Sequence, residues 1–264
     1  MYDYHMHSLF SSDAHSSIDA MIKRAISLGI KGVAITDHYD PDFMNPAYDY
    51  ELDFNMYQHA LMNAEKKYSA QIRIAKGMEL GLQQGSTLNK CSKAVSGFLY
   101  DFILGSFHCA EGYDISMQIY FARRSLEETY RAFYSYVLET LKLYKNYDVL
   151  AHFNIIDRYS PRIPPFQAYA DIVKAIMELI VVDGKGIEIN TSSKRYGMGG
   201  LCTPTQELLN LYANCGGEII TIGSDAHRTV DIGYAYLEAK AMILETGLKH
   251  VAVFKDRQPE LIRI

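Results

Sequence analysis

The chain alternates short apolar, β-branched runs with amphipathic helical stretches along nearly its whole length, and that alternation restricts the fold more than any other feature. Strand candidates are Tyr2–His5, Gly32–Thr36, Ile72–Met78, Phe102–Ser106, Val149–Ala151, Gly186–Asn190 and Ile219–Gly223, with a weaker run at His250–Phe254. Each is bounded by Gly, Asp, Lys or Ser, as a strand buried on both faces should be. Between them, Ile18 to Leu28 places Ile18, Met21, Ile22, Ala25 and Ile26 on one face, with Asp19, Lys23 and Arg24 turned away. Leu126 to Tyr144, Ala170 to Val182, Thr205 to Ala213 and Gly233 to Glu245 read the same way, and Thr203 and Pro204 are expected as an N-cap and first helical residue. Repeated strand–helix units imply parallel strands with right-handed crossovers. Seven or eight such units favour a closed α/β barrel over an open doubly wound sheet. A length of 264 residues suits one such domain, residues 1–264, and no linker, repeat or low-complexity tract divides it. Two stretches, Asp40–Tyr50 and Gln83–Ser96, read as long irregular loops.

In a β/α barrel the functional face lies at the carboxyl ends of the strands. His5 and His7 follow the first strand, then Asp13 and His15. Thr36-Asp37-His38 follows the second, Glu79 the third, His108 the fourth and His152 the fifth. Glu188 and Asn190 end the sixth, and Ser224-Asp225-Ala226-His227 follows the seventh. Side chains two apart on a strand share a face, so His5 and His7 can reach one ion. Singly, each has a plainer reading: Glu79 as a solvated strand end, His108 or His152 as a hydrogen-bonded core histidine, Asp225 as a helix cap. Jointly they do not, because buried charges cost several kcal/mol unless paired. So many on one rim call for cations. Of the nine histidines, only His59 and His250 fall outside this pattern.

Imidazole and carboxylate without thiolate suit Zn, Mn or Fe rather than Ca or a Cys-bound structural zinc. At three or four ligands per ion this donor set holds about two to three divalent ions, with Glu79 as the natural bridge. Cys109, beside His108, is expected to pack rather than ligate. The four cysteines form no CxxC pair and read as reduced thiols of a cytoplasmic protein. A net charge of -5 without a basic run excludes long nucleic acid as the main partner. No apolar run approaches the roughly 18 residues of a membrane span, and no signal peptide is expected. Nothing in the sequence fixes an oligomeric state.

Taken in order, His5-x-His7, Thr36-Asp37-His38, Gly77-x-Glu79, Gly105-Ser106-x-His108, Ala151-His152 and Ser224-Asp225-Ala226-His227 resemble the motifs of the polymerase and histidinol phosphatase (PHP) family, from Tyr2 to His227. The resemblance implies a distorted (β/α)7 TIM-like barrel binding up to three metals. It implies that His5, His7, Glu79 and Asp225 hold one ion and Glu79, His108 and His152 the second. The third takes His38, His227 and a residue from the loop after His7, where Asp13 has the matching spacing and His15 stands nearby as a supporting or proton-relay group. The segments Ile155–Tyr159 and Glu188–Gly197 resemble the histidinol-phosphate phosphatases of the family, which grip phosphate with arginines at the positions of Arg158 and Arg195. A planar guanidinium fork matches phosphate oxygens.

The reaction so implied is hydrolysis of a small phosphomonoester, L-histidinol phosphate first, by a metal-bridging hydroxide. Asp225 is then placed to accept a proton, Glu79 to bridge, and His227 or His38 to assist the leaving alkoxide. Alternatives are another small phosphate ester or nucleotide, an amidohydrolase barrel (which bridges its metals with a lysine where this chain has His108), and a binding module without catalysis.

Overall fold

A computed structural model describes residues 1–45, 51–196, 198 and 200–264. Seven strand–helix units follow one another: β1 (Tyr2–Asp3), α1 (Ile18–Ser27), β2 (Gly32–Ile35), α2 (Phe54–Tyr68), β3 (Arg73–Gly81), α3 (Ser86–Ser96), β4 (Phe102–Ser106), α4 (Leu126–Leu143), β5 (Val149–Leu150), α5 (Ala170–Val182), β6 (Gly186–Asn190), α6 (Gln206–Asn214), β7 (Ile220–Gly223) and α7 (Tyr236–Glu245). The strands lie side by side in chain order and every neighbouring pair is parallel. Between β7 and β1 the ring is drawn together by Tyr4 N–H to the Ile222 carbonyl and Asp225 N–H to the His5 carbonyl, both 2.8 Å. A Met6–Ala226 bridge completes the seam. The result is a distorted (β/α)7 barrel, as expected.

Local chemistry accounts for the elements. The Ser17 side chain caps α1, whose Ile18, Met21, Ile22 and Ala25 are buried. Ser125 and Glu128 form a reciprocal capping box at α4, and Tyr130, Phe133, Tyr134, Val137 and Leu141 make its buried stripe.

The structure departs from the sequence reading in three places. The run at His250–Phe254 is not a barrel strand: β8 (His250–Lys255) pairs antiparallel with β9 (Gln258–Arg263). This hairpin plugs the amino-terminal mouth. Ala252, Val253 and Phe254 pack on Tyr4, Ala34, Ala75, Phe102, Leu104 and Val149, and Asp256 N–H donates to Asp101 Oδ1 at 3.1 Å. Its inner strand is therefore as apolar as a barrel strand, which is why it resembles one. Second, Gln83–Ser96 is largely helical, because Thr87, Cys91, Ala94 and Val95 supply a thin buried stripe; α2 likewise adds a helix the sequence reading did not include. Third, Thr203 does not cap α6. Its backbone is committed to exchanging hydrogen bonds with Asn190, at 2.7 and 3.0 Å, and the cap position falls to Thr205. The Asp40–Tyr50 stretch is irregular over its described residues, 40–45, as expected, and follows a short strand, His38–Tyr39, that pairs with Glu79 and Leu80. Residues 46–50 of that stretch lie outside the described residues, as does Gly197.

Candidate metal centre

The histidines and carboxylates predicted from the strand ends meet at the carboxyl-terminal mouth. Glu79, at 0% exposure on β3, stands at the middle. Its Oε1 lies 2.8 Å from His152 Nε2 and 3.4 Å from His108 Nε2. Its Oε2 faces the other way, 3.1 Å from His5 Nε2, 3.5 Å from His7 Nε2 and 3.0 Å from His38 Nδ1. Asp225 Oδ1 approaches His7 Nε2 at 3.1 Å and His5 Nε2 at 3.7 Å. Asp13 Oδ2 lies 3.2 Å from His227 Nε2 and 3.8 Å from His38 Nε2. All nine side chains named from the sequence are therefore brought together. His15 is not: its side chain is exposed, and only its backbone N–H reaches in, to the His227 carbonyl at 2.9 Å. His59 is exposed, and His250 sits on the hairpin at the opposite end.

Whether such a cluster fits metal ions is decided by its geometry. Two ligands of one tetrahedral ion lie roughly 3.3 Å apart, and the separations above bracket that value. Donor atoms of His5, His7 and Asp225, of His7, His38 and His227, and of His38, Glu79 and His108 form compact groups. Four histidines also occupy Nδ1 on the outer side, which turns Nε2 inward. His5 Nδ1 meets Glu188 Oε1 at 2.7 Å, and His108 Nδ1 meets Asp40 Oδ1 at 2.7 Å. His227 Nδ1 meets the Asp225 carbonyl at 3.0 Å, and His7 Nδ1 meets Ser11 Oγ at 3.3 Å. Outer hydrogen bonds of this kind fix the tautomer and orientation of ligating imidazoles. The donor set and its arrangement fit divalent metal.

Electrostatics give the same answer. Burial alone would raise the Glu79 carboxyl, yet His5, His38 and the neighbouring imidazoles hold it well below the ordinary carboxylate range. Asp225 is held low in the same way, chiefly by His5 and His7 against burial. Burial, with His227 and His38 nearby, drives His7 down to about 3. Burial works against His108 too, but Asp40 and Glu79 push it up to about 10. The carboxylates here demand positive charge at the centre of the mouth, which ions supply more compactly than protons on crowded rings.

Several residues that organise the site were not given that role by sequence reasoning. Glu188 holds two of these histidines at once: besides His5, its Oε2 accepts from His152 N–H at 3.0 Å. That bond fixes a His152 backbone with φ of 26°, in the strained left-handed region. Asp40 supports His108 and lies 3.3 Å from His38 Nδ1. Asp37 is no ligand; it accepts from Ser8 N–H at 2.6 Å and from the Ser8 and Ser11 hydroxyls at 2.7 and 2.6 Å, fixing the loop that delivers Asp13. Two glycines make room: a Cβ on Gly223 would sit 2.0 Å from Glu188 Oε1, and one on Gly81 would sit 1.9 Å from Asp40 Oδ1.

The mouth opens into a cavity of about 320 Å³ whose lining includes Asp13, His38, Glu79, His108, His152, Asp225 and His227. Arg158 also lines it, held by Nη2 donating to Ser192 Oγ at 2.7 Å and Ser193 Oγ at 3.1 Å. Arg195 does not line it. Its Nη2 donates to the carbonyls of Ser224 and Asp225, both at 3.1 Å, so it secures the segment that carries Asp225. Cys91, Cys109, Cys202 and Cys215 are free thiols, and Cys109 is buried. Among the described residues no helix is long and apolar enough to cross a membrane.

Comparison with known proteins places this geometry. The family described as the PHP domain matches residues 3–192. A Thermotoga maritima relative named "probable histidinol-phosphatase" is 30% identical over 96% of this chain and 95% of its own. The histidinol-phosphatase of Lactococcus lactis is 24% identical over 96% of this chain and 93% of its own. A crystal structure of histidinol phosphate phosphatase from Lactococcus lactis, complexed with zinc, L-histidinol and phosphate, superposes with a TM-score of 0.86 at 22% identity, covering 98% of each chain.

Proposed function

The chain belongs to the PHP-domain family, and from that premise we propose that it is a metal-dependent phosphomonoesterase that hydrolyses L-histidinol phosphate to L-histidinol and phosphate. One observation carries the reading: Glu79 divides its two oxygens between two sets of imidazoles on the wall of a cavity that also holds Arg158. The names of the relatives supply the substrate.

We assign His5, His7, Glu79 and Asp225 to one ion, Glu79, His108 and His152 to a second, and Asp13, His38 and His227 to a third, with Zn, Mn or Fe as occupants. When bound, such ions make water acidic enough to lose a proton near neutral pH and offset the charge on phosphate oxygens. The protein's own groups do the rest. Arg158 Nε–H is buried without a hydrogen-bond partner among the described residues, and it donates to a phosphate oxygen, where a charge-assisted bond is strongest. Asp225 Oδ2 accepts from Ser192 Oγ–H at 2.9 Å, which leaves Oδ1, the oxygen that faces His5 and His7, both to ligate and to accept a proton from the attacking water. His227 presents only Nε2, because Nδ1 is engaged by the Asp225 carbonyl. One nitrogen cannot both ligate and donate a proton, so His227 is assigned to ligation. Arg195 acts through the Asp225 segment.

On this reading residues 1–264 work as one domain, since the C-terminal hairpin closes the barrel that β1 begins, and free thiols fit a cytoplasmic site of action. The test is phosphate release by the metal-loaded protein. Histidinol phosphate should exceed other phosphomonoesters, diesters and nucleotides in kcat/KM by about two orders of magnitude or more. Equal turnover across the panel contradicts the substrate assignment.

A further inference from the structure

The ligand cluster and Arg158 account for the phosphate end of the cavity. Its other wall is built by the segment that follows His108. Cys109 and Ala110 pair antiparallel with Asp114 and Tyr113, and Ile115 N–H donates to the His108 carbonyl at 3.1 Å. Asp114, Ile115 and Ser116 thereby face the same cavity as the metal ligands, beside Tyr159.

Asp114 is out of place there as a structural residue. It is only 6% exposed. Its Oδ1 accepts from Ser116 N–H at 2.8 Å and Ser116 Oγ–H at 2.6 Å. Oδ2 has neither a hydrogen-bond nor an ion-pair partner among the described residues, and no Lys, Arg or His side chain there pairs with it. A nearly buried carboxylate held by neutral donors on one oxygen, with the other left open to a cavity, lacks its counter-charge. The phosphate end is cationic once metals and Arg158 are in place, so a dianionic phosphate has no use for Asp114. A cationic group on the remainder of the substrate does.

We propose that Asp114 is the specificity-determining residue of an amine subsite: Oδ2 accepts a charge-assisted hydrogen bond from a protonated amine borne by the alcohol half of the substrate, while Ile115 and Tyr159 cover its carbon skeleton. The proposal rests on the phosphomonoesterase reading, and it selects amino-alcohol phosphates as a class. L-histidinol phosphate is one member.

The test compares the metal-loaded parent chain with Asp114→Asn, which keeps an Oδ1 to accept both Ser116 bonds but removes the charge. Each is assayed with histidinol phosphate, its deamino analogue, ethanolamine phosphate and p-nitrophenyl phosphate. The parent should favour each amine-bearing ester over its amine-free counterpart. In Asp114→Asn, kcat/KM for histidinol phosphate should fall about 10- to 100-fold, the worth of a hydrogen bond to a charged group, chiefly through KM. Turnover of the deamino analogue and of p-nitrophenyl phosphate should stay within about threefold, a control for folding and metal content, and Asp114→Glu should recover part of the loss. An equal fall on all esters, or no fall on any, overturns the proposal, as does a parent indifferent to the amine. If amine-bearing esters are preferred through Asp114 but histidinol phosphate is not the best of them, the amine subsite stands and the substrate assignment above fails. If the parent hydrolyses no phosphomonoester, that reading fails first.

Discussion

The two mouths of the barrel are built by the same strands to opposite rules. At the amino-terminal mouth, Tyr4, Phe102 and Phe254 close an apolar plug, Phe254 N–H reaches Tyr4 Oη at 3.2 Å, and charges stay at the edge in ion pairs such as Arg257–Asp148 and Lys255–Asp101. At the carboxyl-terminal mouth, further along the strands, Glu79, Asp225, His5 and His7 are buried together. The first arrangement is self-sufficient, because apolar burial needs no partner. The second is held by outer hydrogen bonds from Glu188, Asp40 and the Ser192 hydroxyl, and needs ions to settle its charge. One mouth holds the barrel together and the other is free to be functional, the division common to β/α barrels.

Substitutions at the two ends should separate these roles. Glu79→Gln removes the carboxylate that stands between the two halves of the donor cluster. It should cut kcat/KM by about 10³-fold or more with loss of bound metal, while circular dichroism shows the barrel intact; retained metal and activity would show that Glu79 does not bridge. Phe254→Ala at the plug should do the reverse. The expected cost is about 3–5 kcal/mol in denaturant unfolding, with activity per folded molecule within a few-fold of the parent. If that variant loses metal at full stability, the two ends are not independent. Glu188→Gln keeps the shape but weakens the support of His5 and His152, and should lower metal affinity about 10- to 100-fold by titration against a chelator.

The smallest effect is one of pH. Asp157, beside Arg158, is pushed up to about 6 by burial, against hydrogen bonds from Asn154 and Tyr130. Its folded-state pKa is above its unfolded value of 3.8, so its contribution to stability is full below that value and is lost as pH rises through about 6. Unfolding of the metal-loaded parent, measured from pH 7.5 to 4.5 against Asp157→Asn, should show the parent gaining on the variant by about 1–3 kcal/mol as pH falls. Parallel curves would mean that Asp157 carries no such shift.

What the sequence made legible follows the same division. The clustered donors appear where strands end, so His5, His7, Glu79, His108, His152 and Asp225 could be named from position and residue type alone. Asp40 and Glu188 could not be given their roles, because each is defined by which imidazole it meets across the barrel, 68 and 183 residues away in sequence. The hairpin was mistaken for an eighth unit because Val251 to Phe254 is buried like a barrel strand. Its partner β9 is mostly exposed and carries no apolar signal. Helix α3 escaped because its buried stripe rests on small side chains. Arg158 and Arg195 stand in equivalent rim loops by sequence, yet only the first lines the cavity.

The central claim is that the carboxyl-terminal mouth is a functional metal centre. Its most direct test strips the protein with chelator, adds back Zn, Mn or Fe, and measures bound metal by mass spectrometry alongside phosphate release from histidinol phosphate. The account predicts a stripped protein that is folded but inactive, and activity returning as about two to three ions bind per chain. Full activity without metal, or ions bound with no hydrolysis of any phosphomonoester, would contradict it.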